Sequence, residues 1–112
     1  MTVAETSTVD AILRDRKKIE LVIVDHLQWD EDGRVHMYLL QEKINKYLAY
    51  VESGEFLRSY PDDAGIPVSI RIIGKYPLSS DGLDFLAKVR RIVEAAGFEL
   101  VVETRVDEDA SY

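Results

Sequence analysis

The chain contains no cysteine. Disulfides, thiolate nucleophiles, iron-sulfur clusters and cysteine-ligated zinc are thereby excluded, while the redox compartment stays open. No apolar run approaches the roughly eighteen residues that cross a bilayer, and the first twenty residues lack a basic start followed by an apolar stretch. Cytoplasmic residence and no membrane partner are the expectations. A basic excess is also missing: 14 Lys and Arg stand against 21 Asp and Glu, a formal net charge of -7. Affinity for nucleic acid grows with the number of phosphates that Lys and Arg neutralise, so no nucleic-acid partner is expected and a basic protein is the easier one. The positive patches Arg14 to Lys18 and Lys88, Arg90 and Arg91 read as a hairpin turn and a helix surface. Gly-rich phosphate loops, GxSxG elbows and HExxH pairs are absent.

What is present describes one globular unit. With 112 residues, 46% hydrophobic and 31% charged, the chain is long enough for a single core and too apolar for disorder. Residues 1-112 are expected to form one domain, with a flexible terminus over 1-8 and an acidic tail over 107-112. Val9 to Leu13 reads as a short strand that turns through Arg14 to Lys18 into the apolar strand Ile19 to Val24. The spacing of Met37, Leu40, Ile44, Leu48 and Val51, with Tyr47 beside them, predicts an amphipathic helix from Arg34 to Ser53, closed by Gly54. Phe56, Leu57 and Tyr60 are expected to fold back over an edge of the core.

Val68 to Tyr76 alternates with a period of two and reads as a strand, ended by Pro77. Ser79 or Ser80 is suited to cap a second helix whose inward stripe is Leu83, Leu86, Val89, Val93 and Ala96. After Gly97, Phe98 to Val106 alternates again as a last strand. The expected fold is α/β, an α+β two-layer sandwich: a four-stranded mixed sheet in the order β-β-α-β-α-β, with both helices on one face if the strands lie in sequence order, because parallel crossovers are right-handed. The opposite face then carries Val22, Val24, Ile73 and Val101 bordered by Glu20, Arg71, Glu103 and Arg105. Such a strip is unusual on a monomer and favours a homodimer over a sheet covered on both sides.

Polar chemistry concentrates between Asp25 and Gly54, where a strand ends in an acidic, tryptophan-bearing turn that feeds the long helix. Asp25, Asp30, Asp32 and His36 are candidate ligands for a divalent cation, with His26 and Glu31 nearby. A complete calcium loop is not formed, since the twelfth position from Asp30 is Gln41 rather than Glu. Acidic residues at a helix start are otherwise explained by the helix dipole, so no resident cofactor is expected. His26 and His36 have the residue type of a general acid and base, but no motif supplies a nucleophile and no residue is assigned as catalytic. His26, Trp29, His36, Tyr38 and Tyr50 are candidate binding residues. A tryptophan anchors partners well, yet at a strand end it more readily plugs the core.

Three segments carry a family resemblance: LQEKINKYLAYVESG over Leu40 to Gly54, the Lys75-Tyr76-Pro77 step, and AGFEL over Ala96 to Leu100. Together they resemble a family of small bacterial proteins known only as a domain of unknown function, across residues 9-104. The resemblance implies a bacterial source and a shared fold, and brings no activity, ligand or site residue with it.

The first functional reading is a non-enzymatic, acidic protein-interaction domain that binds a protein or a second copy of itself, as an accessory or immunity-type partner. The alternative is a metal-dependent or acid-base enzyme at residues 25-36. A small-molecule sensor using the strand ends and Tyr76 is the third.

Overall fold

A computed structural model describes residues 11-29 and 34-105. Strand β1, Ala11–Arg14, runs antiparallel to β2, Ile19–Asp25. Between them the Asp15 carboxylate accepts the amide N–H groups of Lys17 at 2.7 Å and Lys18 at 2.8 Å, and the Asp15 amide donates to the Lys18 carbonyl at 3.1 Å. A short acidic side chain that satisfies two turn amides is what fixes so tight a return. Helix α1, Arg34–Glu52, leads into a short helix α2, Glu55–Ser59, and a 3-10 turn, Pro61–Asp63. Strand β3, Val68–Gly74, helix α3, Ser80–Ala95, and strand β4, Glu99–Thr104, complete the described chain.

The sheet order is β1-β2-β3-β4, with β3 parallel to β2 and β4 parallel to β3. Ile19, Leu21 and Ile23 of β2, Ile70 and Ile72 of β3 and Leu100 of β4 all enter one core with Leu40, Ile44, Tyr47 and Leu48 of α1, Phe56 of α2 and Leu86, Val89 and Val93 of α3. Alternate strand residues share a face. Every helix therefore lies against the Ile19/Leu21/Ile23 side, as the handedness of parallel crossovers requires. The Tyr47 hydroxyl crosses that core to donate to the Val22 carbonyl at 2.6 Å.

The four-stranded mixed sheet with helices on one face is the architecture read from the sequence, with three corrections. The connection after Gly54 is not a plain loop. Gly54 at φ 86 turns the chain directly into α2, which buries Phe56 against Tyr50 and Tyr60. Leu57 stays exposed.

The second correction concerns strand bounds. β1 lies at Ala11–Arg14 rather than Val9 to Leu13, β3 stops at Gly74 instead of Tyr76, and β4 begins at Glu99. The readings for residues 1-8 and 107-112, for Val9 and for Val106 fall outside the described residues.

The third concerns helix faces. In α3 Leu83 is 57% exposed and Gly82 takes the buried place, because Trp29 lies against that turn. In α1 the buried stripe runs through His36 and Lys43, leaving Met37 and Val51 half-buried. Ser79 is the α3 cap, accepting the Gly82 amide at 3.0 Å, and Gly97 leaves the helix at φ 91.

The Asp15 turn makes an acid-sensitive contribution. The amides of Lys18 and then Lys17 hold its carboxyl below the usual aspartate range. A lowered folded value means that this contribution is complete above the unfolded-chain value and is lost as pH falls through the folded one. Titration of the Asp15 side chain by NMR should show a midpoint below that of an unfolded-chain aspartate, and Asp15→Ala should flatten this part of the acid dependence of stability.

Candidate functional site

β2 ends with Asp25 turned into the protein, and eleven residues later α1 brings His36 back to it. His36 Nε2 lies 2.6 Å from Asp25 Oδ2, and the two side chains are 4% and 3% exposed. His36 Nδ1 lies 3.1 Å from the Gln28 carbonyl. A carbonyl can only accept, so Nδ1 carries a proton and donates it. One further proton lies between Nε2 and the Asp25 carboxyl, and neither ring nitrogen keeps a free lone pair. The second Asp25 oxygen accepts the Leu27 amide at 3.2 Å, and its backbone carbonyl accepts the Lys75 amide at 2.9 Å. Trp29 stacks on the imidazole with ring centroids 3.7 Å apart and planes 25° apart.

The far side of the indole meets α3 at Gly82. A Cβ there would come within 3.0 to 3.1 Å of the Trp29 ring, tighter than most packed Cβ contacts, so the indole would have to give by a few tenths of an ångström. One strand end, one helix start and one helix turn are thus closed over each other by a stack of Gly82, Trp29 and His36, with Asp25 beneath.

The other candidate residues are placed as follows. His26, the first residue after β2, is exposed. Tyr38 is 61% exposed on α1. Tyr50 is half-buried and meets Phe56 edge-on at 5.9 Å, so it is spent on packing rather than presented as contact surface. Asp30, Glu31 and Asp32 lie outside the described residues. Among the described residues no group of three or more His, Asp and Glu side chains is gathered to hold a metal ion. Between α1 and α3 a cavity of about 290 Å³ is lined by Ile44, Phe85, Val89 and Ile92, with Lys88 as its one charged group.

The helix-free face of the sheet is the second site. Its centre is Arg71, whose Nε donates to Glu20 at 2.8 Å and whose Nη1 donates to Glu103 at 3.2 Å. Lys18 flanks Glu20 at 3.8 Å and Arg105 flanks Glu103 at 3.0 Å, so charges of alternating sign cross β2, β3 and β4. Glu20 and then Glu103 raise the Arg71 pKa further above its already high value. Around this row stand Val22, Val24, Ile73 and Val101. Val22 is only 5% exposed, Val24 is 39% exposed, and Ile73 and Val101 are half-buried. The sequence pattern placed these charges at the border of an aliphatic strip. The strand register instead sets Arg71 opposite Val22 and Val101, at the centre. No helix among the described residues is long and apolar enough to cross a membrane.

A family model matches residues 1-106 of this chain. The chain belongs to DUF6572, a family of unknown function. That agrees with the family-level resemblance read from the sequence. No curated protein and no solved structure matches the chain. What this DUF6572 protein does must therefore be argued from its own geometry.

Two outcomes are expected at the turn. Asp25→Leu or His36→Phe alone strands a buried polar partner and should cost about 3 kcal/mol in urea unfolding, and the double replacement should cost less than the sum. Gly82→Ala should shift the indole by a few tenths of an ångström, and the change should be visible in the fluorescence of the single tryptophan.

Proposed function

We propose that this DUF6572 protein is a non-enzymatic protein-interaction module whose contact surface is the helix-free face of its sheet. The observation that carries the reading is the composition of that face. Val24, Ile73 and Val101 stand partly open around an Arg71 whose charge is already matched by Glu20 and Glu103. Placing a partner over an unmatched arginine would strand its charge, whereas a matched one leaves little further desolvation cost. The aliphatic side chains supply area, and the alternating charges reward one orientation over others. The net charge of -7 favours a basic protein as partner. An accessory or immunity-type role in a bacterium is the finer form of the same proposal.

The enzyme reading at residues 25-36 has weaker support. Its best-placed imidazole has both nitrogens engaged by Asp25 and Gln28, so it would have to leave its partners before taking a proton or a metal.

Affinity capture at low salt, where charge-steered contacts are strongest, tests the proposal. Wild-type protein should retain a reproducible partner, and Val24→Glu combined with Ile73→Lys, whose opposite charges face each other across β2 and β3, should release it while the thermal unfolding midpoint shifts little. Equal retention by the double variant would remove this face as the contact surface. Calorimetric titration with magnesium, calcium, manganese and zinc tests the alternative, and heat that disappears in Asp25→Asn would favour the enzyme.

A further inference from the structure

We infer that a second copy of this chain adds across the outer edge of β4, so that two four-stranded sheets continue as one of eight strands. This does not rest on the interaction reading above. β4 is the last strand in the sheet order, and among the described residues nothing pairs with its outer edge. The Arg105 amide donates to the Gly74 carbonyl of β3 at 2.8 Å. By the alternation of a strand, Glu99, Val101 and Glu103 also turn their peptide groups toward β3, and Leu100, Val102 and Thr104 turn theirs outward. Arg90 of α3 reports the same direction, since its Nη2 donates to the Leu100 carbonyl at 3.3 Å. A row of outward N–H and C=O groups is a template for another strand.

Among the registers that pair at least two of the outward residues Leu100, Val102 and Thr104 with one another, the charges on this edge select one. Two copies related by a two-fold axis normal to the sheet pair β4 antiparallel, and the outward peptide groups must face each other. An axis at Val101 sets Glu99 opposite Glu103 of the second copy, and an axis at Glu103 sets that residue opposite itself. Like charges directly opposite are destabilising. An axis at Val102 sets Glu99 opposite Arg105 on both sides of the two-fold. Val102 then faces Val102, and Leu100 faces Thr104. All three outward residues exchange both N–H···O bonds with their opposites. A carbonyl has two lone pairs, so Leu100 can accept the Thr104 amide of the second copy while keeping Arg90.

The helix layer fits the same arrangement. Because Arg90 reaches the β4 edge, Ala87 and Leu83, three and seven residues earlier, lie along that side of α3. Both are exposed, and Leu83 is one of the large apolar residues that the monomer core leaves out. A second α3 beside the first would cover Leu83, and the small Ala87 permits close approach.

Joining the sheets also changes the scale of the helix-free face. Four strands at about 4.8 Å spacing and about six residues at 3.3 Å each present about 400 Å². That is half of the roughly 800 Å² that one partner contributes to a standard interface. Eight strands present about 800 Å².

Sedimentation velocity over a dilution series tests the dimer. The wild type should be dimeric at high micromolar concentration and dissociate on dilution. Val102→Pro removes an outward N–H that β3 does not use, and should give a monomer with unchanged circular dichroism. Glu99→Arg and Arg105→Glu move the net charge in opposite directions, yet each should weaken the dimer about tenfold by opposing like charges. The double reversal should restore it. A wild type that stays monomeric at the highest concentration overturns the inference. So does a dimer that neither Val102→Pro nor the charge reversals weaken. If Val102→Pro fails to fold, the exposed charge pair decides alone.

Discussion

Parallel neighbours in a sheet cannot be joined by a tight turn. The chain must leave the far end of one strand, cross over a face and return, and it does so with a single hand. Here that constraint acts at both steps, β2 to β3 and β3 to β4, in a sheet whose strand order follows the sequence. Both crossovers are forced onto the same side, and the other features follow. The core is one layer deep between sheet and helices. Among the described residues the opposite face receives no helix, and its central cation is balanced from within the sheet by carboxylates on neighbouring strands.

The same constraint explains why a hydrogen-bonded Asp–His pair is buried. A crossover helix must be aimed as it leaves the strand, and the apolar side chains that follow β2, Leu27 and Trp29, are only partly buried against the core. Asp25 and His36 supply a directional tie where packing alone would be slack. The tie is closed above by Trp29 and held against α3 by a residue with no side chain. A buried polar pair contributes little net stability against well-packed apolar groups, but it penalises every geometry that separates its members. At this turn the pair acts as a positioning device, which is compatible with its shielding from solvent.

Much of this fold was legible in the sequence because periodicity reports burial directly. The alternation of Val68, Ile70 and Ile72 and the helical spacing of Leu40, Ile44 and Leu48 each identify an element and its inner face. α2 escaped because five residues are too few for a helical period to be distinguished from a loop that packs one phenylalanine. Leu83 was assigned inward by spacing alone, which has no means of knowing that an indole would occupy the neighbouring turn. The site was less legible still. Asp25 and His36 were each visible as ionisable groups near a turn, but their contact depends on how the chain re-enters α1. The central place of Arg71 depends on strand register, which is a relation between distant segments. Lys43, buried in α1 beside Tyr47, gave no signal at all, since a lysine at that position reads as a solvated residue.

The strand order has one more consequence, for how the protein reaches this state. Ile19 pairs with Val68 across 49 residues of chain, whereas Arg14 pairs with Ile19 across five. A hairpin of the second kind closes in about 1–10 μs, but a pairing of the first kind must meet its loop-closure entropy before any contact rewards it. β2 is therefore expected to pair with β1 first and to keep one edge open until β3 arrives. Until then the apolar run Leu21 to Val24 is exposed to any other chain. The crowding of charges immediately before that run, from Arg14 to Lys18, places repulsive groups beside the segment during the interval when it is most prone to aggregate.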